Sequence, residues 1–343
     1  MKKRALITGI TGQDGSYLAE YLVGLGYEVW GLMRRTSLDP MLRLESLVRK
    51  RRINIIYGNM HHASSLKAAL EMSRPHEIYN LAAQSDVGIS FFVPEETEDI
   101  NYAGLKRLVD EAVRINPKVR IYQASTSEMY GKTLPPQNER SSFKPVSPYG
   151  KAKLRAHKTI VEAYRKRRGL YICSGILFNH ESPRRGEHFV TRKIAISLAK
   201  IKLGLQKSFS LGNLNARRDW GYAGDYVRVM YAILQQEKPD DFVIATGESH
   251  TVREFVEAVA RSLRMKIRWK GTGLREIAVD ERGRTILRVD KKYYRPVEVN
   301  HLRGDSMKAR RELGWKPTVS FDRLAAMMAQ AELKRFRHMK SAV

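Results

Sequence analysis

Two stretches in the middle of the chain carry residue types that could move protons. Tyr149 and Lys153 follow Pro148, and proline is favoured in the first turn of a helix. Residues four apart lie on one face of a helix, where a lysine ammonium would lower the pKa of the phenol toward neutrality. Tyr149 is therefore a candidate base that takes the proton of a substrate hydroxyl.

The second stretch is a polar loop directly after a strand predicted over residues 119–124. It brings Ser125, Thr126 and Glu128 together. A hydroxyl such as that of Thr126 would hold the substrate oxygen, and Glu128 would be a second, separate acid or base. A tyrosine and a lysine four residues apart are a weak pattern by themselves, so a helix-surface pair beside a solvated glutamate is the alternative interpretation.

A dinucleotide-binding pattern stands near the N-terminus. An apolar strand predicted over residues 4–8 runs into a glycine loop and then into a helical pattern of leucine and tyrosine. Glycines permit a tight turn and a close backbone approach, and the helix N-terminus receives the pyrophosphate. The predicted cofactor-binding residues of this loop are Gly9, Thr11, Gly12, Gln13, Asp14 and Gly15.

The end of the second predicted strand indicates which dinucleotide is bound. Arg34, Arg35 and Thr36 stand where NAD-preferring sites usually carry an acid for the ribose hydroxyls. Arginines in this place can instead bind the 2′-phosphate of NADP. A basic loop that merely follows a strand is the alternative.

Composition and charge limit the classes of protein to consider. The chain has 343 residues, of which 43% are hydrophobic, and no apolar run approaches the roughly 18 residues that cross a bilayer. A single cysteine, Cys173, excludes an intrachain disulfide, and we expect a buried thiol in a cytoplasmic protein. The net charge of +26 would suit nucleic-acid binding, but the basic residues are spread along the chain without a recognisable binding motif.

The order of glycine loop, S-T-S-E and Y-x-x-x-K resembles the extended short-chain dehydrogenase/reductases. Within that group, T-S-E-M-Y-G, N-L-A-A-Q-S, L-F-N-H-E-S-P-R-R-G, L-G-N-L-N and R-D-W-G closely resemble the GDP-mannose 4,6-dehydratases, from about Lys3 to about Arg335. The resemblance implies an α/β fold, a Rossmann-type doubly wound parallel sheet with a smaller C-terminal α/β substrate lobe. We expect residues 1–180 to form mainly the NADP-binding domain and residues 181–343 mainly the nucleotide-sugar lobe, with about 217–250 returning to the first domain.

The same resemblance implies the roles of individual residues. The expected catalytic residues are Thr126, Glu128, Tyr149 and Lys153. Further expected cofactor contacts are Asn59, Met60, Leu81, Ala82, Ala83, Gln84, Ser85, His180 and Arg185, together with Tyr149 and Lys153. The expected substrate contacts are Ser85, Ser125, Thr126, Glu128, Asn179, Val190, Lys193, Gly212, Arg218, Arg295 and Glu298. No metal is expected.

Three places depart from the family pattern. Asn59 stands where the family usually carries an aspartate that contacts the adenine amino group, and its amide oxygen can still accept that hydrogen bond. Asp86 stands where relatives commonly show a histidine or an aromatic residue. The loop over residues 38–43, which in the family reaches toward a neighbouring subunit, looks compressed.

The implied activity is the NADP-dependent, redox-neutral dehydration of GDP-mannose to GDP-4-keto-6-deoxymannose, a hydro-lyase reaction of GDP-fucose biosynthesis. The expected partner is a GDP-sugar, the expected assembly a homodimer or homotetramer, and neither a specific nucleic acid nor a membrane is expected. The same chemistry on GDP-manno-heptose stays open because of Asp86, and a keto-sugar reductase would need no acid or base at Glu128. A nucleic-acid-binding Rossmann protein is suggested by the charge alone.

Overall fold

The computed structural model describes residues 2–37 and 40–341. Its strands are β1 (Arg4–Thr8), β2 (Glu28–Met33), β3 (Ile53–Tyr57), β4 (Glu77–Asn80), β5 (Arg120–Thr126), β6 (Ile172–Leu177), β7 (Asn179–Glu181), β8 (Phe209–Leu211), β9 (Arg217–Arg218), β10 (Trp220–Tyr222), β11 (Phe242–Ile244), β12 (His250–Thr251), β13 (Arg268–Lys270), β14 (Ile277–Val279) and β15 (Thr285–Val289).

Its helices are α1 (Gln13–Gly24), α2 (Glu45–Arg49), α3 (Ala63–Ser73), α4 (Pro94–Glu98), α5 (Gly104–Ile115), α6 (Pro148–Ala156), α7 (Ala163–Arg168), α8 (Val190–Lys202), α9 (Ala223–Leu234), α10 (Val252–Ser262), α11 (Met307–Leu313) and α12 (Phe321–Ser341). Two π-helical segments, Asp99–Ala103 and His157–Glu162, join α4 to α5 and α6 to α7. None of the helices in the described ranges is long and apolar enough to cross a membrane.

Within the described residues, seven strands form one parallel sheet in the order β11-β6-β5-β4-β1-β2-β3. Such a sheet needs cover on both faces. Leu18 of α1 and Tyr226 of α9 are fully buried on one face, and Leu66 of α3 and Leu105 of α5 are fully buried on the other. The predicted doubly wound Rossmann-type fold is confirmed.

The strand order reverses between β1 and β4, which places a crevice at their carboxyl ends. The glycine loop follows β1, and the segment from Leu81 to Ser85 follows β4. Ligands of open α/β sheets bind at such a switch point. The topology therefore brings two of the predicted cofactor-binding segments to one place.

A smaller lobe covers this edge of the sheet. In the described part of the chain it contains a second sheet, β13-β14-β15-β8, which packs with α8, α10 and α12 around its own apolar core. Phe255, Leu287 and Leu324 are fully buried there. The chain crosses between the two parts, since β8 belongs to the lobe while β11 pairs with β6. The division at residue 180, with 217–250 returning, stays a prediction.

The strand β14 has no counterpart among the strands predicted above. It forms because Ala278 and Val279 are buried in the lobe and pair with neighbouring strands. Three residues are too few to show a period. The compressed loop over 38–43 lies partly outside the described residues. Arg43 at its end donates hydrogen bonds to the carbonyl oxygens of Thr11 and Arg184.

We predict that Gly131→Ala destabilises the fold far more than Gly169→Ala. Both glycines have a left-handed backbone, with φ of 53° and 63°, where a side chain costs about 1–2 kcal/mol. A Cβ at Gly131 would also overlap the carbonyl oxygen of Lys144, whereas a Cβ at Gly169 meets no atom within 4 Å. Overpacking of this kind adds about 1–3 kcal/mol. Urea unfolding of the two variants measures both costs, and equal costs would contradict the prediction.

Candidate active site

A cleft of about 1230 Å³ opens between the carboxyl edge of the large sheet and the lobe. Pockets for a single small ligand usually measure about 300–1,000 Å³, so this cleft has room for two. Every residue predicted from the sequence to bind cofactor or substrate, or to act in catalysis, lines this cleft. The geometry brings all of them together, and the role of each stays a prediction.

The cofactor half of the cleft is built by the loop between β1 and α1. Gly9 has a φ of 68°, and a Cβ at Gly15 would overlap the carbonyl oxygen of Gly9. Gly12 is the N-cap of α1 and makes no side-chain hydrogen bond. The backbone N–H groups of the first turn have no partner within the helix and are available to a ligand in the cleft. The shape therefore fits a dinucleotide, whose diphosphate needs close backbone approach and a helix N-terminus.

The loops after β2 and β3 form the outer wall of this half. Arg34 and Arg35 are exposed and line the cleft, as cations for a 2′-phosphate would have to be. The Asn59 side-chain oxygen accepts a hydrogen bond from the His61 backbone N–H at 2.9 Å. An amide oxygen has two lone pairs, so the predicted contact of Asn59 with adenine stays a prediction.

The catalytic candidates meet where β5 and the N-terminus of α6 converge. The Thr126 hydroxyl accepts a hydrogen bond from the Glu128 backbone N–H at 3.2 Å, which shapes the turn after β5. The Ser147 hydroxyl accepts the Gly150 N–H at 3.0 Å and caps α6, the type of residue expected at this position. Tyr149, on the first turn, is thereby presented to the cleft beside Thr126.

The pKa of Tyr149 is raised and not lowered toward neutrality in this structure, so that prediction was wrong. Burial raises the pKa of Tyr149 to about 12, against a smaller lowering by the neighbouring Thr126 hydroxyl. Lys153 Nζ donates a hydrogen bond to the Ala124 carbonyl oxygen at 2.9 Å and lies 5.9 Å from the centre of the Tyr149 ring. Burial lowers the pKa of Lys153 itself to about 8. Burial is the largest cause of the pKa shift at both groups.

The substrate half of the cleft is cationic. Arg218 is buried, and its Nη2 lies 3.0 Å from Glu298 Oε1, an oxygen 3.7 Å from Arg295 Nη1. Burial lowers the pKa of Arg218, while Glu128 and Glu298 oppose that effect. On the opposite wall, Lys193 Nζ lies 3.6 Å from the centre of the Tyr293 ring. A diphosphate would complement this excess of positive charge.

Several residues of the cleft were not among those predicted, including Tyr293 and His188. Tyr293 stands close in sequence to the predicted contacts Arg295 and Glu298, but spacing could not indicate that its ring lies beside Lys193. His188 Nε2 lies 3.6 Å from Asp86 Oδ2. The two residues come from loops about a hundred positions apart in the chain, which only the fold places side by side.

The whole chain can be compared with known proteins. A model of the GDP-mannose 4,6 dehydratase family matches residues 6–328. GDP-mannose 4,6 dehydratase 1 of Arabidopsis thaliana is 48% identical over 350 residues, which cover 99% of this chain and 92% of the plant protein. The chain belongs to the GDP-mannose 4,6-dehydratase family. The family predicted from the motifs is confirmed.

The human member of the family is 49% identical over 343 residues, covering 97% of this chain and 92% of the human protein. Solved structures extend the likeness to more distant proteins. The Thermotoga maritima UDP-glucose 4-epimerase with UDP-glucose matches 97% of this chain and 99% of its own, with a TM-score of 0.80 and 21% identity. The Bacillus anthracis dTDP-glucose 4,6-dehydratase with NAD matches 99% of this chain and 100% of its own, with a TM-score of 0.79 and 21% identity. At such identities a shared fold is what the likeness shows.

One departure from the family pattern can now be placed. Asp86 follows the Leu81–Ser85 segment, and its Oδ1 accepts the backbone N–H of Ile89 at 3.0 Å. The carboxylate thus shapes its own turn and also faces His188 across the cleft wall. The chain therefore presents a carboxylate–imidazole pair at this position.

We predict that Lys153→Met makes the protein more stable at pH 7. The folded-state pKa of about 8 lies below the unfolded value of about 10.4, so the charged form is disfavoured by folding at neutral pH. The expected gain is about 1–3 kcal/mol, because the lost hydrogen bond to Ala124 offsets part of the relieved desolvation.

The pH dependence gives this prediction its sign. Between pH 8 and about pH 10.4 the unfolded wild-type chain binds more protons at this lysine, so wild-type stability rises relative to the variant. The higher free energy of unfolding of Lys153→Met should therefore vanish by about pH 10.5. Urea unfolding at pH 7 and at about pH 10.5 measures this difference, with Lys151→Met, exposed on the same helix, as the control. A variant less stable than wild type at pH 7 would contradict the prediction.

Proposed function

We propose that this protein catalyses the dehydration of GDP-mannose to GDP-4-keto-6-deoxymannose with NADP as a tightly held cofactor. Two facts support the proposal: the 48–49% identity to GDP-mannose 4,6-dehydratases over nearly the whole chain, and a cleft that holds the proton-transfer groups such a reaction needs. The cationic wall around Arg218 and Lys193 suits the diphosphate of a GDP-sugar.

The single observation that carries the proposal is the state of Glu128. Its side chain is 7% exposed and lines the cleft, and its Oε2 has no hydrogen-bond partner among the described residues. A buried polar atom without a partner is costly unless a function requires it. A carboxylate oxygen held ready beside Tyr149 and Thr126 is what the removal of a carbon-bound proton requires.

The residues of the chain divide the proton transfers between them. Tyr149 takes the proton of the 4-hydroxyl while Thr126 holds that oxygen in place. The ketone at C4 then acidifies C5, Glu128 removes the C5 proton, and the same proton leaves with the C6 hydroxyl as water. NADP, which the glycine loop and the loop with Arg34 and Arg35 would hold, would supply the hydride acceptor at C4 and the hydride donor at C6. A proton from water is restored to C5 and the proton held by Tyr149 returns to water, so one water molecule is lost and no net oxidation occurs.

Two other activities remain alternatives. A reductase of the keto sugar would use Tyr149 and Lys153 but would need no acid or base at Glu128. Dehydration of GDP-manno-heptose would use the same groups, and the Asp86–His188 pair at the cleft wall is the feature that favours it. A carboxylate there could accept hydrogen bonds from additional sugar hydroxyls. Comparing product formation from the two GDP-sugars separates these substrates.

The assembly and the location of the protein are also proposals. A shallow groove beside α4 and α6 combines Pro94, Tyr102 and Ala103 with charged side chains, and Phe92, close by in sequence, is 81% exposed. A second copy of the chain would cover Phe92 and Tyr102, which supports a homodimer or homotetramer. A cytoplasmic location stays a prediction.

We predict that the protein binds NADP more tightly than NAD by roughly tenfold to a hundredfold. Charge-assisted contacts of Arg34 and Arg35 with a 2′-phosphate contribute on the order of 1.5–3 kcal/mol. Titration of cofactor-stripped protein measures the ratio, and Arg34→Ala with Arg35→Ala should remove most of it. Arg49→Ala, exposed on α2 and away from the cleft, is the matched control. Equal or tighter binding of NAD would refute this preference.

We predict that Glu128→Gln stops the reaction after C4 oxidation. The amide has nearly the same shape, so the fold and nucleotide binding should survive, but it cannot take the C5 proton. We expect an absorbance rise at 340 nm on mixing with GDP-mannose, with product formation reduced about 10²-fold or more.

Two further variants control this experiment. Tyr149→Phe should suppress the absorbance change itself, since the 4-hydroxyl keeps its proton. Glu71→Gln, exposed on α3 and outside the cleft and the groove, should behave as wild type. In deuterated water Glu128→Gln should also lose deuterium incorporation at C5, measured by mass spectrometry. If Glu128→Gln forms product at the wild-type rate, Glu128 is not the base that removes the C5 proton; if the wild type forms no product from GDP-mannose, the reductase becomes the better assignment.

A further inference from the structure

The segment from His180 to Ser182 is tied to the glycine loop by side chains that sequence patterns did not connect. Gln13 Nε2 donates to the His180 carbonyl oxygen at 3.0 Å, and the Ser182 hydroxyl donates to Gln13 Oε1 at 2.8 Å. His180 Nε2 lies 2.7 Å from Asp14 Oδ2. Two successive residues of the loop thus bind a segment more than 160 positions away.

Both ring nitrogens of His180 face atoms that can only accept a hydrogen bond, provided Asp14 is ionised. Nδ1 lies 2.8 Å from the Phe178 carbonyl oxygen, and Nε2 faces the Asp14 carboxylate. A neutral imidazole carries a proton on one nitrogen only. The ring therefore either carries two protons or faces a protonated Asp14.

The surroundings of Asp14 decide between these two states. Its Oδ1 accepts a hydrogen bond from Gln13 Nε2 at 3.0 Å, and Arg185 lies close enough to attract it. Burial raises the pKa of the Asp14 carboxyl, but attraction and hydrogen bonding from His180 outweigh it, and the pKa lies below its usual value. Donors to a carboxylate favour its charged form. The proton therefore resides on the imidazole.

The groups around His180 have opposing effects on the pKa of its imidazole. Burial lowers the pKa of His180 and Arg185 lowers it further, yet Asp14 raises it above the ordinary value. The ring of Tyr226 from α9 stacks on the imidazole with centres 4.5 Å apart. Glu181 follows in β7, and Asp219 faces Tyr226 from behind. The Asp14 contact is the shortest of these and dominates.

The position of the pair gives it a role. Asp14 and His180 both line the cleft, and the Asp14 charge acts on the Tyr149 phenol, raising its pKa, while Arg185 lowers it. A lone carboxylate here would repel an anionic dinucleotide and would also oppose formation of a phenolate at Tyr149. Pairing with an imidazolium offsets both effects in part, while the carboxylate still anchors the loop.

We propose that Asp14 and His180 form a permanent carboxylate–imidazolium pair that holds the glycine loop against β7 and cancels a negative charge at the dinucleotide end of the cleft. Both are positioning residues, since they act through the loop and through the field at the cofactor site. The proposal rests on the proposed function only in taking the dinucleotide as the ligand.

The charge of His180 can be measured directly. In full-length protein labelled with ¹⁵N- and ¹³C-histidine, the imidazole resonance that is missing from His180→Gln should show two protonated nitrogens at pH 8. In Asp14→Asn the same ring should be neutral at that pH, because an amide can donate to Nε2. Glu20→Gln, which removes a carboxylate of the same helix that pairs with Arg184 at 2.6 Å, should leave the imidazolium unchanged. A neutral His180 in the wild type at pH 7 would overturn the proposal.

The effect on the cleft can be measured with NADP⁺ alone by calorimetry. His180→Gln leaves the Asp14 charge unpaired and should weaken NADP⁺ binding by at least about tenfold. Adding Asp14→Asn to His180→Gln removes that charge, so the double variant should bind more tightly than His180→Gln. Additive effects of the two substitutions would mean that the residues act independently and would also overturn the proposal.

These measurements need no sugar nucleotide, so they stand apart from any failure of the proposed dehydratase activity. If His180→Gln does not fold, Asp14→Asn still decides the question. It keeps a hydrogen bond to His180, and the loss of the imidazolium signal in a folded variant is the expected result. An imidazolium that persists without the Asp14 carboxylate would refute the pairing.

Discussion

A buried chain of hydrogen bonds crosses the carboxyl edge of the large sheet, and the site depends on it. The Thr8 hydroxyl donates to Asn80 Oδ1 at 2.6 Å, Asn80 Nδ2 donates to Gln123 Oε1 at 2.7 Å, and Gln123 Nε2 donates to the Ala124 carbonyl oxygen at 2.9 Å. Lys153 Nζ donates to that same oxygen. This network of hydrogen bonds thus links the ends of β1, β4 and β5 to α6. Satisfied networks of this kind make a core rigid and specific.

The network has consequences on both sides of the edge. Thr8 Oγ1 also accepts the backbone N–H groups of Leu81 and Ala82 at 3.1 Å, which holds the segment after β4 against the glycine loop. At the other end, it draws Lys153 toward the backbone of β5 and away from the phenol of Tyr149. The same network therefore positions the backbone at the predicted dinucleotide site and holds the buried Lys153.

Burial of charge is the recurring theme of the cleft. Lys153, Arg218, Asp14 and His180 all lose water on folding, and each is compensated differently, by a carbonyl oxygen, by Glu298, or by each other. In a medium of low dielectric constant such groups act strongly on any charge that develops nearby. Glu128 differs from these four, since its Oε2 is buried without a hydrogen-bond partner in the described part of the chain, as is Asn179 Oδ1 in the same cleft. A role in binding or catalysis explains such atoms better than stability does.

Much of this molecule could be predicted from local patterns. The bounds of β1 agree with the strand predicted over residues 4–8, because an apolar run that ends at a glycine is a signal carried by adjacent residues. The glycine loop, the Ser147–Pro148 start of α6 and the family motifs are equally local. For the same reason every residue predicted for the site lies in the cleft, as the carboxyl ends of parallel strands meet at one edge.

Only the tertiary structure decided how these residues interact. Spacing placed Tyr149 and Lys153 on one face of a helix. It could not show that Lys153 would donate a hydrogen bond to the carbonyl oxygen of Ala124, which stands 29 positions before it. Nor could it pair Asp14 with His180, which stand 166 positions apart. Sequence determines which groups are available and on which element each one stands. Burial and long-range partners set their protonation, because the free energy of a charge depends on the water it loses and the dipoles it meets.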